Sequence, residues 1–184
     1  DEFSKFARMP ELRRKNEDLN ALVESTVSLQ QAGQPDVSIN FSKTEQPVII
    51  SIDATLINQA LTNIIKNAGE AIETRKQQIL DLDEKGKIDV VLQDQSDSII
   101  LHISDNGIGL PQDRSRLFEP YVTTREKGTG LGLAIVKKII EEHGGTLKLA
   151  DSSSFKKTNI TGAKVSIELP KSKNYNDQIK AKVT

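Results

Sequence analysis

Apolar side chains recur along this chain with two periods, and the switching between them outlines a sheet flanked by helices. Leu19, Leu22, Val23, Val27 and Leu29 fall at helical spacing within Glu17 to Gln31, and Gly33 with Pro35 ends the run. Val37, Ile39 and Phe41 alternate with polar residues, as a half-buried strand does; Val48 to Ile52 reads as a second strand after a turn at Gln46-Pro47. Asp53 is placed to cap the next helix, whose apolar stripe (Leu56, Ile57, Ala60, Leu61, Ile64, Ile65, Ala68, Ala71, Ile72) is wide enough to bury against a sheet. That helix runs into Arg75-Lys76-Gln77, and Asp81 to Lys87 follows as a charged loop containing Gly86. Ile88 to Leu92 and Ile99 to Ser104 read as strands joined by a turn at Asp94 to Ser98. Leu131 to Glu142 is helical and closed by Gly144-Gly145, and Thr146 to Leu149 and Ala163 to Leu169 supply the last strands. Phe3 and Phe6 stand one helical turn apart before Pro10, as in the severed end of a longer helix. This order predicts an α/β (α+β) fold: a two-layer α/β sandwich, a mixed sheet with helices on one face.

Composition narrows the function. With 184 residues, 36% of them apolar, the chain can core one domain, and its net charge of -1 argues against a basic nucleic-acid face. Having no cysteine, it makes no disulfide or thiolate metal site. With no tryptophan, two tyrosines and five phenylalanines, it is poorly supplied for stacking single-stranded bases. No apolar run approaches the roughly 18 residues that suggest a membrane span. The first residue is not methionine, so the chain reads as part of a longer protein whose other segments can include a membrane anchor.

The candidate chemistry lies between Asp105 and Leu133. Asp105-Asn106-Gly107-Ile108-Gly109 follows an apolar strand, a polar segment containing Leu117-Phe118-Glu119-Pro120-Tyr121 comes next, and Gly128-Thr129-Gly130-Leu131-Gly132-Leu133 opens a helix. Glycines let the backbone approach a ligand closely, and a helix N-terminus favours phosphate. Asp105 can accept a hydrogen bond from an exocyclic amine such as adenine's, although a D-N-G turn in isolation more often holds a solvated aspartate. Asn63 and Asn67, four apart, share one face of the long helix, and carboxamide oxygens are hard ligands suited to Mg²⁺ or its waters beside a triphosphate. By itself that pair fits an exposed polar face as well. The second glycine cluster lacks the G-x-x-x-x-G-K-[ST] of a P-loop, and it follows no strand as a Rossmann turn must.

In combination, the asparagine pair on a helix, DNGIG after a strand, LFEPY and GTGLGLAI resemble, in order and spacing, the N, G1, F and G2 boxes of sensor histidine kinases. These kinases share an ATP-binding superfamily with gyrase, Hsp90 and MutL. The resemblance spans about Asp53 to Pro170, and DEFSKFARMP with the LINQALTN of Leu56 to Asn63 is similar to the NtrY branch of nitrogen-regulation sensor kinases. It implies a Bergerat ATP-binding fold whose cofactors are ATP and Mg²⁺. Asp105 would bind the adenine amine, with Gly107 and Gly109 letting the base approach. Asn67 would ligate Mg²⁺, and Asn63 would line the same phosphate region as a second catalytic residue. Lys127, Gly128, Thr129, Gly130, Leu131, Gly132 and Leu133 would form the lid hinge and bring amides to the phosphates, and Phe118 and Tyr121 would anchor the lid. Two departures stand out. Glu70 occupies a position that is basic in many such kinases, leaving phosphate charge to Mg²⁺, lid amides, Lys127, Arg125 or, less directly, Lys66. Ala163 lacks a hydroxyl that could reach adenine through water.

Neither histidine suits a phosphoacceptor. His102 alternates within a strand, and His143 ends a helix, where charge or hydrogen bonding would suit the dipole. The resemblance therefore implies residues 1–10 as the end of a dimerisation helix, 11–170 as the catalytic and ATP-binding domain with a lid at about 110–129, and 171–184 as a disordered tail. Its expected partners are the dimerisation domain of the same protein, which carries the acceptor histidine, and a response-regulator receiver domain. The expected setting is the cytoplasmic side of a membrane-anchored homodimer, with no nucleic acid. An ATP-hydrolysing relative would carry glutamate where Asn63 stands, and a degenerate docking module would not bind nucleotide.

Overall fold

In the computed structural model, the described residues are 11–78, 85–122, 130–152 and 161–171. Three helices, α1 (Leu19–Gly33), α2 (Ala54–Gln78) and α3 (Gly132–Glu142), accompany seven strands. These strands are β1 (Lys15–Asp18), β2 (Val37–Ser42), β3 (Ile49–Ile52), β4 (Gly86–Asp94), β5 (Ser98–Asp105), β6 (Thr146–Asp151) and β7 (Ala163–Pro170). The main sheet runs β2-β4-β5-β7-β6; its β2–β4 pair is parallel and the others are antiparallel. This is the mixed sheet expected from the sequence.

The period-2 pattern decides which face is covered. Val90, Ile103 and Val165 are in register and buried, as are Leu92, Leu101 and Ile167 one step along. Their neighbours Asp89, His102, Ser166 and Lys164 are only half-buried on the other face. The helical stripes of Leu19, Val23, Val27, of Ile57, Leu61, Ile64, Ile65, Ala68, Ile72, and of Val136, Ile139, Ile140 join the inward strand residues in one core. Fully burying each such side chain contributes about 1.5–3 kcal/mol, so the apolar positions, and not loop chemistry, set the two-layer stack. His102 lies on that other face, where its Nδ1 and Ser166 Oγ are 2.8 Å apart. Its pKa is lowered by partial burial and by Lys164.

The first strand pair differs from the sequence expectation. Val48 to Ile52 does not turn back on β2; β3 pairs with β1, a four-residue strand, KNED, that lacks apolar alternation. The reason is a polar clasp. Buried Asn20 donates through Nδ2 to Thr44 Oγ1 (2.8 Å) and to the Gln46 carbonyl (2.9 Å), holding the loop against α1. Asp18 Oδ1 accepts from Asn20 N (3.0 Å) and Val48 N (3.1 Å), so one carboxylate caps α1 and seats β3. The helix consequently starts at Leu19, two residues later than its periodicity suggested.

A second junction ties β1, α2 and α3 together. Asp53 caps α2 by accepting from Thr55 N (3.1 Å) and Leu56 N (3.2 Å), and its other oxygen accepts from Arg13 N (2.9 Å). The Asp53 amide donates to His143 Nε2 (3.0 Å), and His143 Nδ1 donates to the Ile139 carbonyl (2.7 Å). Arg14 reaches the last turn of α3 through Glu142 O at 2.7 Å. Burial pulls His143 below its usual pKa, outweighing the Ile139 bond and Asp53. Its contribution to the helix end is therefore a hydrogen bond to the backbone, not a charge. Burial alone would push Asp53 up, but the amides of Arg13, Leu56 and Thr55, with His143, hold it below the usual carboxylate value. Phe3, Phe6 and the polar tail from residue 172 lie outside the described residues.

Candidate functional site: two glycine turns on one helix

Asp105 ends β5, buried, with Oδ1 accepting from Gly107 N (2.8 Å) and from Ala163 N at the start of β7 (3.3 Å). A carboxylate fixed by two amides from different segments has a set orientation. It is not the solvated turn residue that the D-N-G sequence also allowed. The position flagged for its missing hydroxyl, Ala163, contributes through its backbone.

The turn after Asp105 lies directly on α2. Ile108 N donates to Ala71 O (3.2 Å), and a Cβ at Gly107 would fall 2.7 Å from both the carbonyl carbon and the Cβ of Ala71. Glycine is required there by close approach of two backbones. Gly109 has φ +79 beside the Thr161 carbonyl.

The second cluster meets the same helix one turn earlier. Asn63 and Asn67 are half-buried on α2, and Gly132, the first residue of α3, faces Asn67: a Cβ there would lie 3.7 Å from Asn67 Nδ2 and 3.9 Å from Oδ1. Leu131, the N-cap residue, has its side chain in the core and offers the first-turn amides of α3 no side-chain cap of its own. Leu133 is half-buried in that turn. Helix-dipole charge at this end favours an anion beside Asn67.

Between the clusters, Tyr121 (φ +65) donates its amide to the Gly130 carbonyl (3.0 Å), and Gly130 itself has φ +67. A Cβ on Gly130 would run 2.6 Å from the Tyr121 carbonyl carbon. Phe118 packs under Lys137 of α3, with Nζ 5.4 Å from the ring centroid. Arg114 bridges to Asp151 at 2.6 Å. Lys127, Gly128, Thr129 and Arg125, expected to serve the phosphates, lie outside the described residues. Lys66 and Glu70 line an open cleft of about 460 Å³ together with Gln34 and Asp36, on the side of α2 turned toward the end of α1. Lys66 is thus directed away from Gly132.

Two residues that sequence reasoning passed over hold the Asp105 turn. Asn106 is buried: its Oδ1 accepts from Lys87 N (2.8 Å), its Nδ2 donates to Lys85 O (3.0 Å) and its amide to Lys87 O (3.2 Å). Arg75, also buried, donates from NH1 to the Asn106 carbonyl. A signal for Arg75 existed, since it sits three residues beyond Ile72 on the buried stripe of α2. Asn106 gave none beyond its turn-forming type.

Among the described residues, no helix is long and apolar enough to cross a membrane.

Comparison with known proteins bears on this geometry. Residues 52–173 match the family described as histidine kinase-, DNA gyrase B-, and HSP90-like ATPase. The nitrogen regulation protein NtrY of Azorhizobium caulinodans is 48% identical over 153 residues, covering 83% of this chain and 19% of that protein. A putative NtrY-like sensor histidine kinase of Rickettsia conorii is 38% identical over 151 residues, 82% of this chain and 24% of that one. The chain thus spans about a fifth to a quarter of the length of these relatives. Among solved structures, the mycobacterial sensor histidine kinase MprB superposes with a TM-score of 0.71 at 25% identity, covering 86% of this chain and 97% of that one. The matched span runs from Ile52, just before the Asp53 cap of α2, past the end of β7, and so contains both glycine turns and the asparagine pair. The chain belongs to the histidine kinase-, DNA gyrase B- and HSP90-like ATPase family, with the two-layer fold of a histidine kinase catalytic domain.

Proposed function

We propose that this chain is the ATP-binding catalytic domain of an NtrY-like sensor histidine kinase and passes the γ-phosphoryl group of ATP to a histidine on a dimerisation domain of the same protein. The observation that carries this reading is the convergence of both glycine turns on adjacent turns of α2, at Ala71 and at Asn67. Ala71 and Asn67 are four residues apart on one face of the helix, so a single elongated ligand lying along α2 could meet both turns.

On the base side, Asp105 Oδ1 is engaged by the Gly107 and Ala163 amides. The second carboxylate oxygen would accept from the adenine amine, a contact guanine cannot make because it presents a carbonyl there. On the phosphate side, the first-turn amides of α3 favour anionic oxygens. The Asn67 carboxamide has the hard oxygen that Mg²⁺ prefers, and Mg²⁺ commonly uses one or two protein ligands plus substrate phosphates. Bound there, the ion would neutralise charge on the β- and γ-phosphates. The acceptor imidazole nitrogen forms a bond to the γ-phosphorus as the bond to the ADP oxygen breaks, and ADP leaves. Asn63 carries a carboxamide, which cannot take a proton from water, and this favours transfer to histidine over hydrolysis. The phosphoryl group would then pass to an aspartate of a receiver domain. We place the chain on the cytoplasmic side of a membrane-anchored homodimer.

The test is single-turnover transfer from labelled ATP to a separately made phosphoacceptor helix pair. Label is expected on the helix pair with the wild-type chain, and Asn67→Ala should slow transfer by about a hundredfold. Multiple-turnover ATP hydrolysis without transfer would instead assign an ATP-hydrolysing role. No nucleotide-dependent rise in melting temperature with Mg²⁺ present would reduce the chain to a docking module.

A further inference from the structure

Arg75 is the one buried cation among the described residues, and it lies where an apolar residue would continue the stripe of α2. A guanidinium taken from water is costly unless its donors are used, and apolar substitution of such groups is often neutral or stabilising. Packing therefore does not explain it. Among what it supplies that leucine or methionine cannot is a charged donor to the Asn106 carbonyl.

That carbonyl belongs to the peptide unit joining Asn106 to Gly107, whose opposite edge is the Gly107 N–H. This N–H donates to Asp105 Oδ1 at 2.8 Å. Because the peptide is planar, fixing its oxygen fixes the direction of its N–H. A cation on the oxygen also polarises the unit and strengthens the donor at the other edge. The remaining polar groups of Asn106 are taken by Lys85 and Lys87, so the plane is held at its flank too. Ala71, against which Gly107 is pressed, lies one turn before Arg75 on the same helix.

We propose that Arg75 is a positioning residue for nucleotide recognition, acting through the Asn106–Gly107 peptide to orient and hold the Asp105 carboxylate. Its consequence for nucleotide choice rests on the reading of Asp105 given above; the relay itself does not.

Two measurements on the 184-residue chain separate these. In the nucleotide-free protein, the Gly107 amide resonance should move upfield and exchange faster with solvent in Arg75→Met, with partial return in Arg75→Lys. A Gly107 resonance unchanged in Arg75→Met overturns the relay. For binding, ADP affinity should fall about tenfold in Arg75→Met, with Arg75→Lys between it and wild type. Inorganic tripolyphosphate, which has no base, should bind all three within about twofold. Equal losses for ADP and tripolyphosphate would mark general loosening and overturn the inference. If Arg75→Met fails to fold, Arg75→Lys decides by the same contrast between ADP and tripolyphosphate. If Asp105→Ala leaves ADP binding intact, the adenine reading falls and the binding role of Arg75 with it. If Asp105→Ala weakens ADP and neither Arg75 variant does, only the role of Arg75 falls.

Discussion

The two ends of the candidate site are built differently. Around Asp105 the chain is held by buried and part-buried bonds: two amides on its carboxylate, four hydrogen bonds to Asn106, and backbone contact with Ala71. Across residues 114–119, the side-chain ties are exposed: Arg114 with Asp151, Arg116 with Glu119, and Lys137 over Phe118. Buried polar groups are expensive to leave unmatched, whereas an exposed ion pair contributes about 0–1 kcal/mol. The Asp105 end is therefore preorganised, and the side-chain ties of residues 114–119 can be exchanged for water at small cost. On the proposed reading, recognition of the base would fall to the tightly held end and contact with the phosphates to the other.

The strongest way to break that contrast is Asn106→Ala. It removes the part-buried bonds from Lys87 N and to Lys85 O and should lower unfolding stability by about 1–3 kcal/mol, read from denaturant midpoints at unchanged m-value. A loss under about 0.5 kcal/mol would mean that the base end is no more tightly built than the rest.

A second, intermediate effect concerns the junction at the far end of α3. His143 has a folded pKa below its unfolded value, so its stabilising contribution is present above about pH 6.5 and is lost as pH falls toward the folded value, the unfolded chain binding the proton first. Asp53 acts in the same direction at lower pH: its folded value is below the ordinary carboxylate range, and its contribution disappears as pH falls through that range. Thermal melts between pH 7.5 and about 5.5 should show a falling melting temperature that flattens in His143→Gln. An equal slope in the variant would remove His143 as the cause.

The smallest effect is expected from Arg114→Ala, which should change stability by no more than about 0.5 kcal/mol, because both partners of the pair are near half exposed. A cost comparable to that of Asn106→Ala would erase the distinction between the two ends.

Much of this arrangement is legible in the sequence because it rests on repeated apolar positions. The long stripe of α2 and the alternation in β4, β5 and β7 each contain several side chains that agree, so the layers follow, and with them the place of Asp105 at a strand end; its burial did not. The elements that escaped are held by single polar side chains. Nothing in Lys15-Asn16-Glu17-Asp18 announces a strand, since its pairing depends on Asp18 and Asn20 gripping a loop more than 20 residues away. Asn106 reads as an ordinary turn residue until β4 is beside it. Arg75 is the exception, since a cation in phase with a buried stripe marks a site where charge is wanted inside. The asparagine pair was visible from its spacing, but its position against Gly132 requires α3 to be packed on α2.

The measurement that tests the central claim most directly is the calorimetric affinity of the chain for ATP and GTP with Mg²⁺, in wild type and in Asp105→Asn. Asparagine can keep a carbonyl oxygen on the Gly107 and Ala163 amides while presenting N–H donors where the second carboxylate oxygen stood. Wild type should prefer ATP. Asp105→Asn should bind ATP at least about tenfold more weakly and shift preference toward GTP, whose base offers an acceptor there. Unchanged ATP affinity in Asp105→Asn, or wild type binding both nucleotides alike, would contradict the assignment of the Asp105 turn as the base-recognising end of the site.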